Sequence, residues 1–189
     1  RRRRPPRGPP ARAGARPRGR GGRTATQHLL DLGHRRIGFL AGRPDLESAR
    51  LREQGYREAL ADAGIAFDPD LVRVGGYRPD LADSPAHELL SLPERPTAIF
   101  AANDLSAIRT MEVAAELGLR VPDDVSVIGF DNVPESALTT PPLTTVDQPI
   151  HRMGTEALRL IVDLVEGRTR DPHVRLPTTL VVRGTTRTV

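Results

Sequence analysis

Five side chains in this sequence could together do binding chemistry: Arg52, Tyr77, Asn103, Asp131 and Gln148. Four of them stand just beyond an apolar run, and Arg52 stands early in the segment that follows one. Asn103 and Asp104 follow TAIFAA, Asp131 and Asn132 follow VSVIGF, and Asp147 and Gln148 follow a shorter run that starts at Leu143. Arg50 and Arg52 come early in the segment after RIGFLA, and Tyr77 lies just past a run ending at Gly75. In an open parallel sheet, ligands bind outside the carboxyl ends of the strands, so residues in these places matter most. Arginine, carboxamide and carboxylate groups offer bidentate donors and acceptors, and an aromatic ring offers a stacking face. Such a set suits a polyhydroxylated ligand such as a sugar or nucleoside. Asn and Asp after strands also serve as helix caps and turn formers, and Asp104 reads as the N-cap of the helix behind it. Position alone leaves both roles open.

Catalysis is the competing use of the same groups. Asp104 and Asp131 could form the carboxylate pair of a glycosidase. Against this, the sequence has no G-x-S-x-G, H-E-x-x-H or G-x-G-x-x-G motif, and its five histidines are scattered, with His28 and His34 six apart, off any shared helix face. The absence of lysine removes a P-loop lysine, a Schiff base and a Ser-Lys pair, and the absence of cysteine removes thiol nucleophiles, disulfides and thiolate zinc sites. The reading is a non-enzyme, with no cofactor and no metal centre; the histidines are structural or at the surface.

The elements that must position the five residues alternate between apolar runs and helix-period segments, the pattern of a doubly wound α/β fold with a parallel sheet. A short helix capped by Thr24 runs to Leu32 and stops at Gly33. Strands are expected at 36–41, 71–75, 97–102, 125–130, 143–146 and 176–183. Helices are expected at 46–63, 80–91, 104–117 and 149–166, the second weakened by Pro85, which is tolerable only in a first turn. The last helix carries Ile150, Met153, Ala157, Leu160, Ile161 and Leu164 as one apolar stripe at spacings of three and four.

Charge is unevenly distributed. Residues 1–23 hold ten arginines, no acid, and otherwise only Pro, Gly and Ala, a mixture with too little apolar surface to fold, so this segment is expected to be disordered. Without those ten arginines the formal charge of +4 becomes −6, so the basicity belongs to the segment and not to the domain. The segment could neutralise nucleic-acid phosphates without sequence preference. It lacks the interleaved aromatics that stack on single-stranded bases, and no apolar face accompanies it toward a membrane. No run is long enough for a membrane span, and a cytoplasmic location is predicted.

The motifs GGRTATQHLLDLGHRRIGFLAG from Gly21, SARLREQGYREAL from Ser48, PTAIFAANDLSAI from Pro96, LGLRVPDDVSVIGFDN from Leu117, PPLTTVDQP from Pro141 and LPTTLVVRGTT from Leu176 together resemble the lactose and galactose repressor (LacI/GalR) family over residues 21–187. The resemblance implies a sensor of periplasmic-binding-protein type, mainly its second subdomain, with a small-molecule effector (sugar, sugar phosphate or nucleoside) held between two subdomains. Arg52 would clamp that effector, Tyr77 would flank it, and Asn103, Asp131 and Gln148 would supply the remaining polar contacts. It also implies a repressor that is a homodimer at full length and meets operator DNA through a headpiece expected to be missing here; the alternative is a sugar-binding protein or regulator fragment without DNA binding. Within residues 24–189, 24–148 would be the subdomain core, 149–175 a crossover helix belonging to the first subdomain, and 176–189 the return strand. Arg109 and Ala82 stand where the family usually has glycine. An out-of-frame start is the expected origin of residues 1–23.

Overall fold

The computed structural model describes residues 20–168 and 174–189. Strands β1 (Ile37–Ala41), β2 (Val72–Val74), β3 (Ala98–Ala101), β4 (Ser126–Asp131), β5 (Thr144–Asp147) and β6 (Thr179–Val181) form one sheet in the order β2-β1-β3-β4-β5-β6. The first five are parallel and β6 runs antiparallel to β5, at the edge. Helices α1 (Arg20–Asp31), α2 (Glu47–Asp62), α3 (Pro79–Leu90), α4 (Asp104–Glu116) and α5 (Ile150–Val165) connect or flank them. The doubly wound α/β fold expected from the sequence is the fold observed.

The strands are apolar on both sides because both faces are covered. Successive side chains alternate between two cores. Ile37, Phe39, Phe100, Ile128 and Phe130 join α1 and α2 on one face, where Leu29, Tyr56 and Leu60 are buried. Leu40, Ile99, Ala101 and Val127 join α3 and α4 on the other, with Leu89, Leu90 and Val113.

Three expectations need correction. Helix α1 begins at Arg20, not at a cap on Thr24, so residues 20–23 are helical and not disordered; residues 1–19 of that segment lie outside the described residues. The cause is close packing that only glycine allows. A Cβ on Gly21 would lie 2.5 Å from the Phe130 ring, and one on Gly22 would lie 2.8 Å from Arg52 Cα. Pro85 lies inside α3, beyond its first turn. There it forgoes one backbone hydrogen bond, while Ala82, Ala86, Leu89 and Leu90 bury that helix against the sheet. Strand β6 spans three residues instead of eight, because the chain after it bonds through side chains.

That following stretch is stitched to the sheet. Thr185 Oγ1 donates to the Val127 carbonyl at 2.6 Å and accepts from the Thr144 amide at 2.9 Å. The Arg187 amide donates to Ser126 Oγ at 3.1 Å, and the Val189 amide donates to the Leu32 carbonyl at 3.1 Å. His34, fully buried, donates from Nε2 to the Arg187 carbonyl at 3.1 Å and places Nδ1 2.9 Å from Thr97 Oγ1. Its role is structural, as expected, and burial pushes its pKa down, with the Arg187 carbonyl opposing the shift.

Helix α5 differs from the other helices in having no buried residue. Ile150, Met153, Ile161 and Leu164 of the predicted stripe are all exposed. Of the expected crossover segment 149–175, residues 169–173 lie outside the described residues.

Candidate effector site

The site is built around Arg52, in the second turn of α2, where the close approach of Gly22 fixes the backbone. Its guanidinium carbon lies 3.9 Å from the centroid of the Phe130 ring and 5.4 Å from that of Tyr77, a cation held between two aromatic faces. Nη1 donates to the Ala102 carbonyl just past β3. Nη2 donates to Asp131 Oδ1 at 3.0 Å and to Gln148 Oε1 at 3.1 Å. One planar group thus ties α2 to the carboxyl ends of β3, β4 and β5, the geometry for which arginine is suited and lysine is not.

The Arg52–Asp131 pair is mostly withdrawn from water, with side-chain exposures of 10% and 21%. Burial pushes the Asp131 carboxyl above the usual carboxylate range, and neighbouring Arg52, through charge and hydrogen bond, only partly offsets this.

Backbone strain gathers at the same place. Among the described residues, the non-glycine positions with positive φ are Tyr77 (68°), Asp131 (110°) and Asn132 (57°), two of them predicted site residues. Such conformations cost about 1–3 kcal/mol each and persist where surrounding contacts over-determine them. Asn132 is held on both sides: its Nδ2 donates to Asp147 Oδ1 at 2.9 Å, and its Oδ1 accepts from Arg183 Nη2 at 2.7 Å.

All five predicted residues converge here, in different capacities. Tyr77 packs its ring over Gly42, where a Cβ would fall 2.5 Å from the phenol oxygen. That hydroxyl is buried and has no hydrogen-bond partner among the described residues. Asn103, not Asp104, is the N-cap of α4: its Oδ1 accepts from the Ser106 amide at 3.2 Å, while its Nδ2 donates to the Tyr77 carbonyl at 3.2 Å and so steadies the aromatic. Gln148 turns its Nε2 toward Met153 Sδ at 3.3 Å. Asp104 is wholly buried and accepts from the Val133 amide at 2.8 Å and Thr145 Oγ1 at 2.5 Å, with its carboxyl pushed up to about 6 by burial. It therefore faces protein groups, which is not the arrangement of an acid paired with Asp131 across a cleft.

Sequence reasoning missed Phe130, Gly42 and Gly22. Phe130 reads as one more core residue of VSVIGF; its place as the last apolar residue before Asp131 is the signal that it borders the site. A cavity of about 460 Å³ opens beside Gln148, lined also by Ser48, Met153, Glu156, Leu160 and Leu176. On the far face, Asp83, His87 and Glu116 bring potential metal-ligand atoms within 4.8 Å of one another. Arg109 already bonds Asp83 and Glu116, so this group of acids holds its own cation.

The class of protein follows from the family match: residues 26–186 match the family model described as a periplasmic binding protein-like domain, with which the mostly parallel sheet and the polar groups at its strand ends agree. The chain is 43% identical over 164 residues to the HTH-type transcriptional regulator CelR of Thermobifida fusca, covering 86% of this chain and 48% of that protein. Among solved structures, the transcriptional regulator CelR–cellobiose complex superposes with a TM-score of 0.85 at 41% identity, covering 89% of this chain and 52% of that one. A LacI family transcriptional regulator from Mycobacterium smegmatis superposes with a TM-score of 0.83 at 32% identity, covering 94% and 68%. The chain belongs to the periplasmic-binding-protein-like sensor domains of the LacI family of transcriptional regulators. It spans about half the length of the curated relatives it matches.

Proposed function

We propose that this chain is the effector-binding part of a LacI-type transcriptional repressor, responding to a sugar or similar small polar metabolite. The observation that carries the reading is the convergence on Arg52 of Asp131, Gln148, Tyr77 and Phe130 at the carboxyl ends of three parallel strands. A ligand hydroxyl entering there would exchange with Gln148 or share Asp131, while the rings cover its apolar face. In this reading the described residues sense, and a helix-turn-helix element of the kind the relatives are named for reads DNA. Ligand binding would then shift an equilibrium between DNA-competent and DNA-incompetent states.

The exposed stripe of α5 supports a second part of the proposal. It is the crossover helix, and it packs on a companion subdomain of the working regulator, which acts as a homodimer in the cytoplasm. No helix of the described residues is long and apolar enough to cross a membrane.

The test is calorimetric titration with cellobiose, other disaccharides and nucleosides, on the full-length regulator and on its Arg52→Ala and Asp131→Ala variants. Charged hydrogen bonds contribute roughly 1.5–3 kcal/mol each, so each variant should bind about tenfold to a hundredfold more weakly. Equal affinity in both variants and the parent would remove this site.

A further inference from the structure

Asp104 is a carboxylate that the ligand-contacting set does not use, and it is wholly buried. Burying a carboxylate is costly unless its oxygens are saturated with donors, and here they are. Oδ2 accepts from the Val133 amide and Oδ1 from Thr145 Oγ1, while the Asn132 amide points at the same group. The sequence makes room for it: a Cβ on Gly129 would overlap Oδ1, so β4 carries glycine where the carboxylate enters. All of this lies directly beneath the turn formed by Asp131, Asn132 and Val133, whose first two residues hold the left-handed backbone that presents Asp131 to Arg52.

An asparagine could not do the same. Its amide nitrogen brings two hydrogens into a pocket already lined by donors, and its single oxygen cannot serve all of them. A leucine would leave buried amides unpaired. The pocket specifies a carboxyl group, rich in acceptor lone pairs, at the base of a strained turn.

We propose that Asp104 is the positioning residue of the effector site: its buried carboxyl group locks the Asp131–Asn132–Val133 turn so that Asp131 meets Arg52. The proposal rests on the effector-site reading for its purpose, but its test does not. The lock is coupled to the carboxyl's proton: a group that titrates higher in the closed turn than in an opened one holds the turn more firmly as pH falls. The charged groups facing it are Asp131 above, with Arg52 beyond, and Asp147 and Arg183 on the far side of Asn132. Burial places the titration of Asp104 at about 6, within reach of ordinary buffers.

Amide hydrogen exchange on the intact chain tests the lock without any ligand. After correction for intrinsic rates, protection of the Asn132 and Val133 amides should rise roughly tenfold between about pH 7.5 and about pH 5, because an opening that wets Asp104 returns its carboxyl to the ordinary range, while the Phe39 and Leu40 amides of β1 keep theirs. In Asp104→Asn the turn amides should be weakly protected at both pH values. Protection at the turn that ignores pH in the parent chain overturns the proposal, as does parent-like protection in the variant. Should the variant not fold, the parent's pH series decides alone. Titration of Arg52→Ala with cellobiose separately tests the effector reading, so failure there leaves the exchange result standing, and the reverse.

Discussion

Replacing Gly22 with alanine is the most diagnostic perturbation of this fold, because local and tertiary physics predict opposite signs. In an isolated helix, glycine to alanine gains about 1 kcal/mol. In α1, the new Cβ would lie 2.8 Å from Arg52 Cα and 2.9 Å from its carbonyl carbon, with the carbonyl oxygen closer still. Those are backbone atoms, so no rotamer change relieves the overlap and the two helices must separate. Overpacking of this kind costs about 1–3 kcal/mol or more, and the absence of any flexible escape favours the upper end. Against the propensity gain, a net loss of about 2 kcal/mol is expected, or roughly 4–8 °C of melting temperature for a domain of this size. Because the displaced backbone is that of Arg52, the bonds to Ala102, Asp131 and Gln148 should loosen and effector affinity fall with stability. Gly154→Ala is the internal control: it lies on α5 with nothing within 4 Å of the added Cβ, and should raise stability or leave it unchanged. Thermal and urea unfolding of the two variants beside the parent is the assay. A Gly22→Ala protein melting at or above the parent would show that α1 does not sit on Arg52 as described.

Arg52→Ala leaves the mostly buried Asp131 without its cation, so it should lower stability by about 3 kcal/mol in urea unfolding, and Asp131→Asn, which spares the hydrogen-bonding shape, by less. The Asp104 carboxyl, raised in the fold to about 6 from its usual 3.8, stabilises fully below about pH 4, and this contribution is lost as pH rises through about 6. The stability difference between parent and Asp104→Asn should therefore move by about 3 kcal/mol against the parent from pH 4 to 7. A flat difference curve would refute the assignment. His34, with its pKa lowered, acts oppositely: its contribution is present above pH 6.5 and lost as pH falls, so His34→Gln should flatten the acid limb of the parent's stability profile. The uncovered stripe of α5 should make the isolated chain self-associate and bind hydrophobic dyes. The paired change Ile161→Glu and Leu164→Glu should restore a dye-negative monomer in light scattering, and a parent chain already monomeric and dye-negative would contradict this.

The sheet was legible because strands buried on both faces must be apolar throughout, and TAIFAA or VSVIGF permits little else. The clustering of the polar residues was legible because strand ends in such a sheet gather at one edge, where polar side chains can meet. What escaped was information held in contacts distant along the chain. Gly21 and Gly22 look like the end of a low-complexity segment until Phe130 and Arg52 are known to press on them. Asn103 and Asp104 are both good caps by composition; the hole left by Gly129 draws Asp104 inward and gives the cap to Asn103. Pro85 violates a local rule that burial of its neighbours overrides. Phe130 alternates with its strand neighbours as any core residue would, and only the fold brings Arg52 onto its face.

The stretch from Thr185 to Val189 has a bearing on how the protein is made. It follows every strand in the order of synthesis, yet it supplies partners to β4, to β5, to His34 and to the loop after α1. A nascent chain can bring β1 through β5 together while still tethered, but Ser126, Thr144 and buried His34 keep unmatched polar groups until residues 185–189 emerge. Completion of the domain thus waits until residues 185–189 have cleared the ribosomal tunnel, and a cut just before Thr185 would reopen polar seams in the sheet and at the end of α1.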